Sequence, residues 1–360
     1  MGRLRELLAE RHFLLADGAT GTNLFDVGLV SGDAPELWNV DEPDKIRALH
    51  QSFVDAGADI ILTNTFGANA RRLMLHKAED RVHELNKRAA ELAREVAQTV
   101  ERPVIVAGSV GPTGDLFQPL GELTEEQARD VFAEQIAGLA EGGVDVIWIE
   151  TMSAADEMRA AADAAADAVM AAGLDYTVTA SFDTAGRTMM GLTPADFATQ
   201  MMARQVPPVA VGANCGVGAS DTLAAILDMT AGLDMTDGLD MTAGQPQLPV
   251  ISKANAGIPE FHGEHIHYSG SPELMGRYAT LAASAGVRII GGCCGTAPEH
   301  LAAMRSALDA FEPGALGRPS LNEIVAATGA LVAPAVKAET AQGDDATSGG
   351  RRNRRRRARA

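Results

Sequence analysis

The sequence predicts a single α/β domain of the (β/α)8 TIM-barrel class, and three observations predict it. Short apolar, β-branched runs alternate with longer helical stretches along the 360 residues. Eight such runs occur, at 14–20, 59–65, 103–110, 144–150, 176–183, 208–215, 248–255 and 287–293. Several are continuously apolar, as in Ile60-Ile61-Leu62 and Val146-Ile147-Trp148-Ile149, which suits parallel strands buried on both faces. A doubly wound open sheet is the competing architecture. Chain length and the count of eight favour the closed barrel.

Residues 1–12 read as a lead-in, 13–335 as the barrel and 336–360 as a disordered basic tail. Between the runs, helices are signalled by pattern and by caps. Val131, Phe132, Ile136 and Leu139 share one helical face. Thr124-Glu125-Glu126-Gln127 and Thr296-Ala297-Pro298-Glu299 fit a capping box, the second with proline at the first helical position. Thr193-Pro194 and Ser271-Pro272 repeat the cap-then-proline signal. Two stretches depart from the alternation. Residues 227–244 hold three hexapeptides of the form Leu-Asp-Met-Thr-x-Gly, too short a period for a solenoid, and read as an expanded surface loop. The tail is rich in Ala, Gly and Thr and ends in seven arginines between Arg351 and Arg359, a composition that favours disorder.

The formal net charge is −18. An acidic body favours solubility and disfavours nucleic acid. No apolar run approaches the roughly 18 residues of a membrane span, and the charged first ten residues lack a signal core. The expectation is a cytoplasmic protein with no membrane partner and no specific nucleic acid; a homo-oligomer is left open. Three cysteines, Cys215, Cys293 and Cys294, argue against a disulfide framework in a reducing compartment.

All three fall at the C-terminal ends of predicted strands, where barrel enzymes place their sites. Strands six and eight are separated by one strand, so their upper ends converge over one mouth. Glycines flank both places (Gly212, Gly216, Gly291, Gly292, Gly295) and allow close backbone approach. Three thiolates leave one tetrahedral corner free, the layout of a catalytic zinc. Such an ion is a weak Lewis acid towards water but can hold an incoming thiol as thiolate. His262, His265 and His267 are a weaker metal candidate, because 261–269 has loop character. Asp17, after strand one, and Glu150, ending strand four, are candidates to accept an ammonium group. Gly18 to Thr22 lacks the lysine of a phosphate loop.

Gly212-Ala213-Asn214-Cys215-Gly216 and Gly291-Gly292-Cys293-Cys294-Gly295-Thr296 resemble the paired zinc signatures of the homocysteine S-methyltransferase family. Asp17-Gly18-Ala19-Thr20-Gly21-Thr22, Thr63-Asn64-Thr65-Phe66 and Asn255-Ala256-Gly257-Ile258-Pro259 are similar to its other motifs. The resemblance implies zinc on Cys215, Cys293 and Cys294, with homocysteine bound through it. It implies Asp17 and Glu150 near the substrate ammonium, backbone amides around Ser109 to Gly111 on its carboxylate, and Asn214 supporting the zinc loop. Gly18, Thr65, Phe66 and Ser109 join the expected substrate contacts. The reaction implied is displacement of a methyl group from a positively charged donor to form methionine.

Ala34-Pro35-Glu36-Leu37-Trp38-Asn39-Val40 and Ser181-Phe182-Asp183-Thr184-Ala185-Gly186-Arg187-Thr188-Met189-Met190-Gly191 resemble the bacterial betaine-using branch. The animal betaine enzymes cage the trimethylammonium with tyrosines where this chain has Gly67 and Thr151. Phe66, Trp38 and Phe25 are the remaining aromatic candidates. S-methylmethionine or a separate corrinoid protein is the alternative donor, and a non-catalytic zinc or redox-sensing barrel is the reading from another class.

Overall fold

The computed structural model describes residues 2–232, 248–262 and 265–333. Each predicted run overlaps a parallel strand: β1 (Leu14–Leu15), β2 (Ile60–Leu62), β3 (Ile105–Val110), β4 (Val146–Met152), β5 (Asp175–Ala180), β6 (Ala210–Cys215), β7 (Val250–Ala254) and, after a hairpin of β8 (Pro259–His262) and β9 (His265–Tyr268), β10 (Ile289–Gly292). The order is β1-β10-β7-β6-β5-β4-β3-β2. A parallel bridge between Ala16 and Ile60 joins the two ends, and the Asp17 amide donates to the Ile60 carbonyl at 3.0 Å. The sheet is therefore a closed (β/α)8 barrel, not a doubly wound sheet.

Strand alternation sorts the side chains into two cores. Leu14, Ile60, Ile105, Val146 and Trp148 point into the barrel. Leu15, Ile61, Val106 and Ile147 point outward against the helices. The lead-in is a helix, Arg3–Glu10, whose Leu4, Leu7 and Leu8 join the inner core. It closes the base of the barrel, each leucine contributing on the order of 2 kcal/mol of burial. The opposite end stays open, and the site lies there.

The caps at Thr124, Thr193 and Ser271 form as expected, each side-chain oxygen accepting an amide of the first turn. Elsewhere the structure corrects the sequence reading. The last cap shifts by one residue: Ala297 is the N-cap of Pro298–Asp309, His300 Nδ1 accepts its amide at 3.1 Å, and Thr296 is fully buried instead. The expected strand 14–20 pairs only at its start, because the chain turns at Gly18 and enters the helix Gly21–Asp26. The first hexapeptide of 227–244 is not loop. It finishes the helix Ala219–Gly232, since Met229 and Thr230 are buried. Residues 233–244 and the tail 336–360 lie outside the described residues. The stretch 261–269, expected as loop, is largely hairpin, with β8 and β9 antiparallel. No helix among the described residues is long and apolar enough to cross a membrane.

Candidate metal centre and substrate cavity

The two cysteine strands are held close by their glycines. A Cβ on Gly212 would lie 2.0 Å from the Ile251 carbonyl of β7, and one on Gly291 would lie 2.9 Å from Ala16. β6 and β10 each pair with β7, so Cys215 and the Cys293-Cys294 pair flank one strand end. Cys215 leaves its strand with φ +61° and Gly216 follows at +71°, a left-handed turn that costs a non-glycine residue energy. The three sulfurs lie within 4.8 Å of one another, with Cys215 Sγ and Cys294 Sγ 4.0 Å apart. Sulfurs at tetrahedral corners around zinc would be about 3.8 Å apart, so the cluster fits such an ion. Hydrogen bonds from Cys215, Cys293 and Tyr268 lower the Cys294 thiol. No other cluster of His, Cys, Asp and Glu ligand atoms is found among the described residues.

Asn214 braces this corner. Its Oδ1 accepts from the Thr151 amide at 2.9 Å and the Thr179 hydroxyl at 2.6 Å, and its Nδ2 donates to Thr151 Oγ1 at 2.7 Å. The same Nδ2 stands 3.9 Å from Cys293 Sγ. One amide thus ties β4, β5 and β6 to a sulfur just past the end of β10. Thr151, at φ +62°, turns the chain just after Glu150.

The sulfurs open on a cavity of about 490 Å³ whose lining includes Gly18, Thr65, Phe66, Ser109 and Glu150. Glu150 Oε1 accepts from the Ser109 hydroxyl at 2.5 Å. Burial, reinforced by Cys293 and opposed by Lys253, pushes the Glu150 carboxyl up to about 7. Asp17 lies beneath the cavity and is committed to protein partners. Its Oδ2 accepts the Leu62 amide at 2.7 Å and its Oδ1 accepts Lys253 Nζ at 2.9 Å. Two of the amides expected to meet a carboxylate are also taken: Ser109 donates to Thr63 Oγ1 at 3.0 Å and Gly111 to the Phe66 carbonyl at 3.0 Å. The Thr65 hydroxyl donates to the Ser109 carbonyl at 2.7 Å, and the residue lines the cavity. Gly18 lets the β1 turn pack on the Thr296 carbonyl, 2.5 Å from where its Cβ would be.

Of the aromatic candidates, Phe25 and Phe66 line the cavity. Trp38 is not among its lining residues; Lys45 Nζ sits 4.3 Å from its ring centroid. At Gly67 a Cβ would lie 2.8 Å from Glu36 Oε1, which accepts the Gly67 amide at 2.6 Å. A buried carboxylate thus stands beside the position where the animal enzymes carry a tyrosine. The sequence reading missed Lys253, Tyr268 and Glu36 as cavity residues. Lys253 had a signal, a charge inside the strand Val250-Ile251-Ser252-Lys253-Ala254. Tyr268 had none, because only the hairpin carries it to the cysteines.

Comparison with known proteins agrees with this geometry. The family model for homocysteine S-methyltransferase matches residues 14–308. Methionine synthase from Mycobacterium leprae is 29% identical over 330 residues, covering 88% of this chain and 26% of that protein. The Mycobacterium tuberculosis methionine synthase is 30% identical over 320 residues, covering 85% and 25%. The chain thus spans about a quarter of the length of these curated relatives. The metallated form of the homocysteine methyltransferase MmuM from Escherichia coli shares the fold, with a TM-score of 0.67 at 24% identity over 84% of this chain and 99% of that one. Matched by the family model over most of its length, with three sulfurs meeting at the mouth of a closed barrel, this chain belongs to the homocysteine S-methyltransferase family.

Proposed function

We propose that this protein transfers a methyl group from betaine, or a related onium compound, to the thiol of homocysteine, forming methionine with the help of zinc. The observation that carries the reading is the convergence of Cys215, Cys293 and Cys294 on a cavity that also holds Glu150 and an aromatic rim. Zinc bound by the three sulfurs would supply a site where the substrate thiol is held as thiolate near neutral pH. Glu150 takes the substrate ammonium, and the Ser109 hydroxyl orients that carboxylate. Phe25 and Phe66 face the outer cavity, where a cationic donor gains from aromatic contact. The substrate sulfur then attacks the methyl carbon, and the carbon–nitrogen bond breaks as its electron pair stays on the departing amine. The walls contribute by orientation, which is a large part of what such a displacement needs. Three reduced thiols suit a cytoplasmic setting.

Likeness to methionine synthases favours a second reading, in which a separate corrinoid protein delivers the methyl group. One assay separates the two. Zinc-loaded protein is incubated with homocysteine and, side by side, betaine, S-methylmethionine or dimethylsulfoniopropionate, and methionine is quantified. Turnover by the purified chain with betaine supports the proposal. Turnover only with another onium donor corrects the donor, and none without an added corrinoid protein overturns direct transfer.

A further inference from the structure

The turn that carries Cys215 is held from outside the cavity. Cys215, Gly216 and Gly218 take positive φ values of +61°, +71° and +141°, and a Cβ on either glycine would meet nothing within 4 Å. Packing over these glycines therefore gives the turn little support. Two side chains fix it instead. Asn255 Nδ2 donates to the Gly216 carbonyl at 2.8 Å. Thr222 Oγ1, in the first turn of the helix Ala219–Gly232, donates to the Gly218 carbonyl at 2.8 Å and reaches the Cys215 carbonyl at 3.5 Å. Where that helix sits thus governs where Cys215 sits. One later segment grips the helix at both ends. Asp221, buried in the first turn, accepts the Val332 amide through Oδ2 and the Ala333 amide through Oδ1, each at 2.9 Å. Towards the other end, Arg318 donates to the Leu227 carbonyl at 3.0 Å and to the Thr230 hydroxyl. Between the two grips runs the helix Leu321–Thr328, capped by Ser320 and anchored by the buried Ile324. The family match ends at residue 308, so the whole of 318–333 lies beyond the matched span.

Resting on the metal reading above, we infer that Asp221 is a positioning residue for the metal corner: by clasping the segment 318–333 it fixes the helix behind Cys215 and so sets that sulfur for zinc. A buried carboxylate is costly without partners, and the two amides are the only ones its side chain has among the described residues. The clasp and the helix position therefore stand or fall together. Coupling between two sites is reciprocal. If the clasp tightens zinc binding by some factor, zinc tightens the clasp by the same factor. Acting on a ligand at one remove, the clasp is worth about tenfold in metal affinity, the low end of what direct supports contribute.

The test pairs zinc affinity, measured by chelator competition, with hydrogen exchange at the Val332 and Ala333 amides with and without zinc. Asp221→Asn keeps the side-chain shape but offers one acceptor oxygen in place of two, and should lower zinc affinity about tenfold. Val332→Pro deletes one of the donated N–H groups without touching the helix. It should act in the same direction by a few-fold, and it carries the test if Asp221→Asn does not fold. In the wild-type protein zinc should slow exchange of both amides about tenfold, because the coupling is mutual. Folded variants that bind zinc as the wild type does, or amides whose exchange ignores zinc, would reduce the clasp to a fastening of the barrel and overturn the inference. Wild-type protein that binds no zinc would instead sink the metal reading, and this inference with it.

Discussion

The cysteine corner and the outer rim of the same cavity are built on opposite plans. At the corner, Cys215 ends β6 and Cys293 and Cys294 follow β10, strands in which Gly212, Gly291 and Gly292 leave no room for a Cβ, and Asn214 binds three strands to one sulfur. At the rim, Phe25 is 43% exposed and Leu75 71% exposed, and both sit in the connections after β1 and β2. A metal-held nucleophile needs its ligands fixed to a few tenths of an ångström. A donor need only be steered to it, so loops suffice. Under the proposed function, acceptor chemistry would be written into the barrel wall, and donor choice into side chains that can change without disturbing it.

The largest effect that would sharpen this contrast is Cys294→Ala. It should abolish metal loading and lower methionine formation on the order of a thousandfold or more, while circular dichroism shows an intact barrel. Full activity in the metal-free variant would end the metal assignment. Asn214→Ala comes next: metal affinity, measured by chelator competition, should fall about tenfold to a hundredfold, as when a ligand's support is removed.

Glu150 predicts a pH effect of definite sign. Burial raises its carboxyl to about 7, and only the ionised form pairs with an ammonium. Homocysteine affinity should therefore fall as pH drops through about 7, and Glu150→Gln should bind about tenfold more weakly above that pH, with this limb flattened. An unchanged limb in the variant would assign it to another group. The smallest effect is expected at the rim. Phe66→Ala should raise the donor KM a few-fold, matching about 1 kcal/mol of cation–π contact, with metal content and homocysteine affinity untouched. If it disturbed metal loading as Asn214→Ala does, the division between corner and rim would collapse.

The sequence by itself determined the barrel and its metal corner. Strand alternation is local, so Ile60-Ile61-Leu62 and its counterparts announce buried parallel strands wherever they lie. Cysteines next to glycines at strand ends announce a shared mouth once eight strands are counted. What only the tertiary structure decided are the pairings across the closed sheet. Asp17 looks free in the sequence, yet it pairs with Lys253, 236 residues away. Trp38 looks like an aromatic wall and packs outside the cavity, while Tyr268 arrives on a hairpin that the sequence reading took for loop. Period and propensity report a residue's own backbone; which charge meets which, and which ring faces the site, depend on how the barrel closes and where its connections fold back.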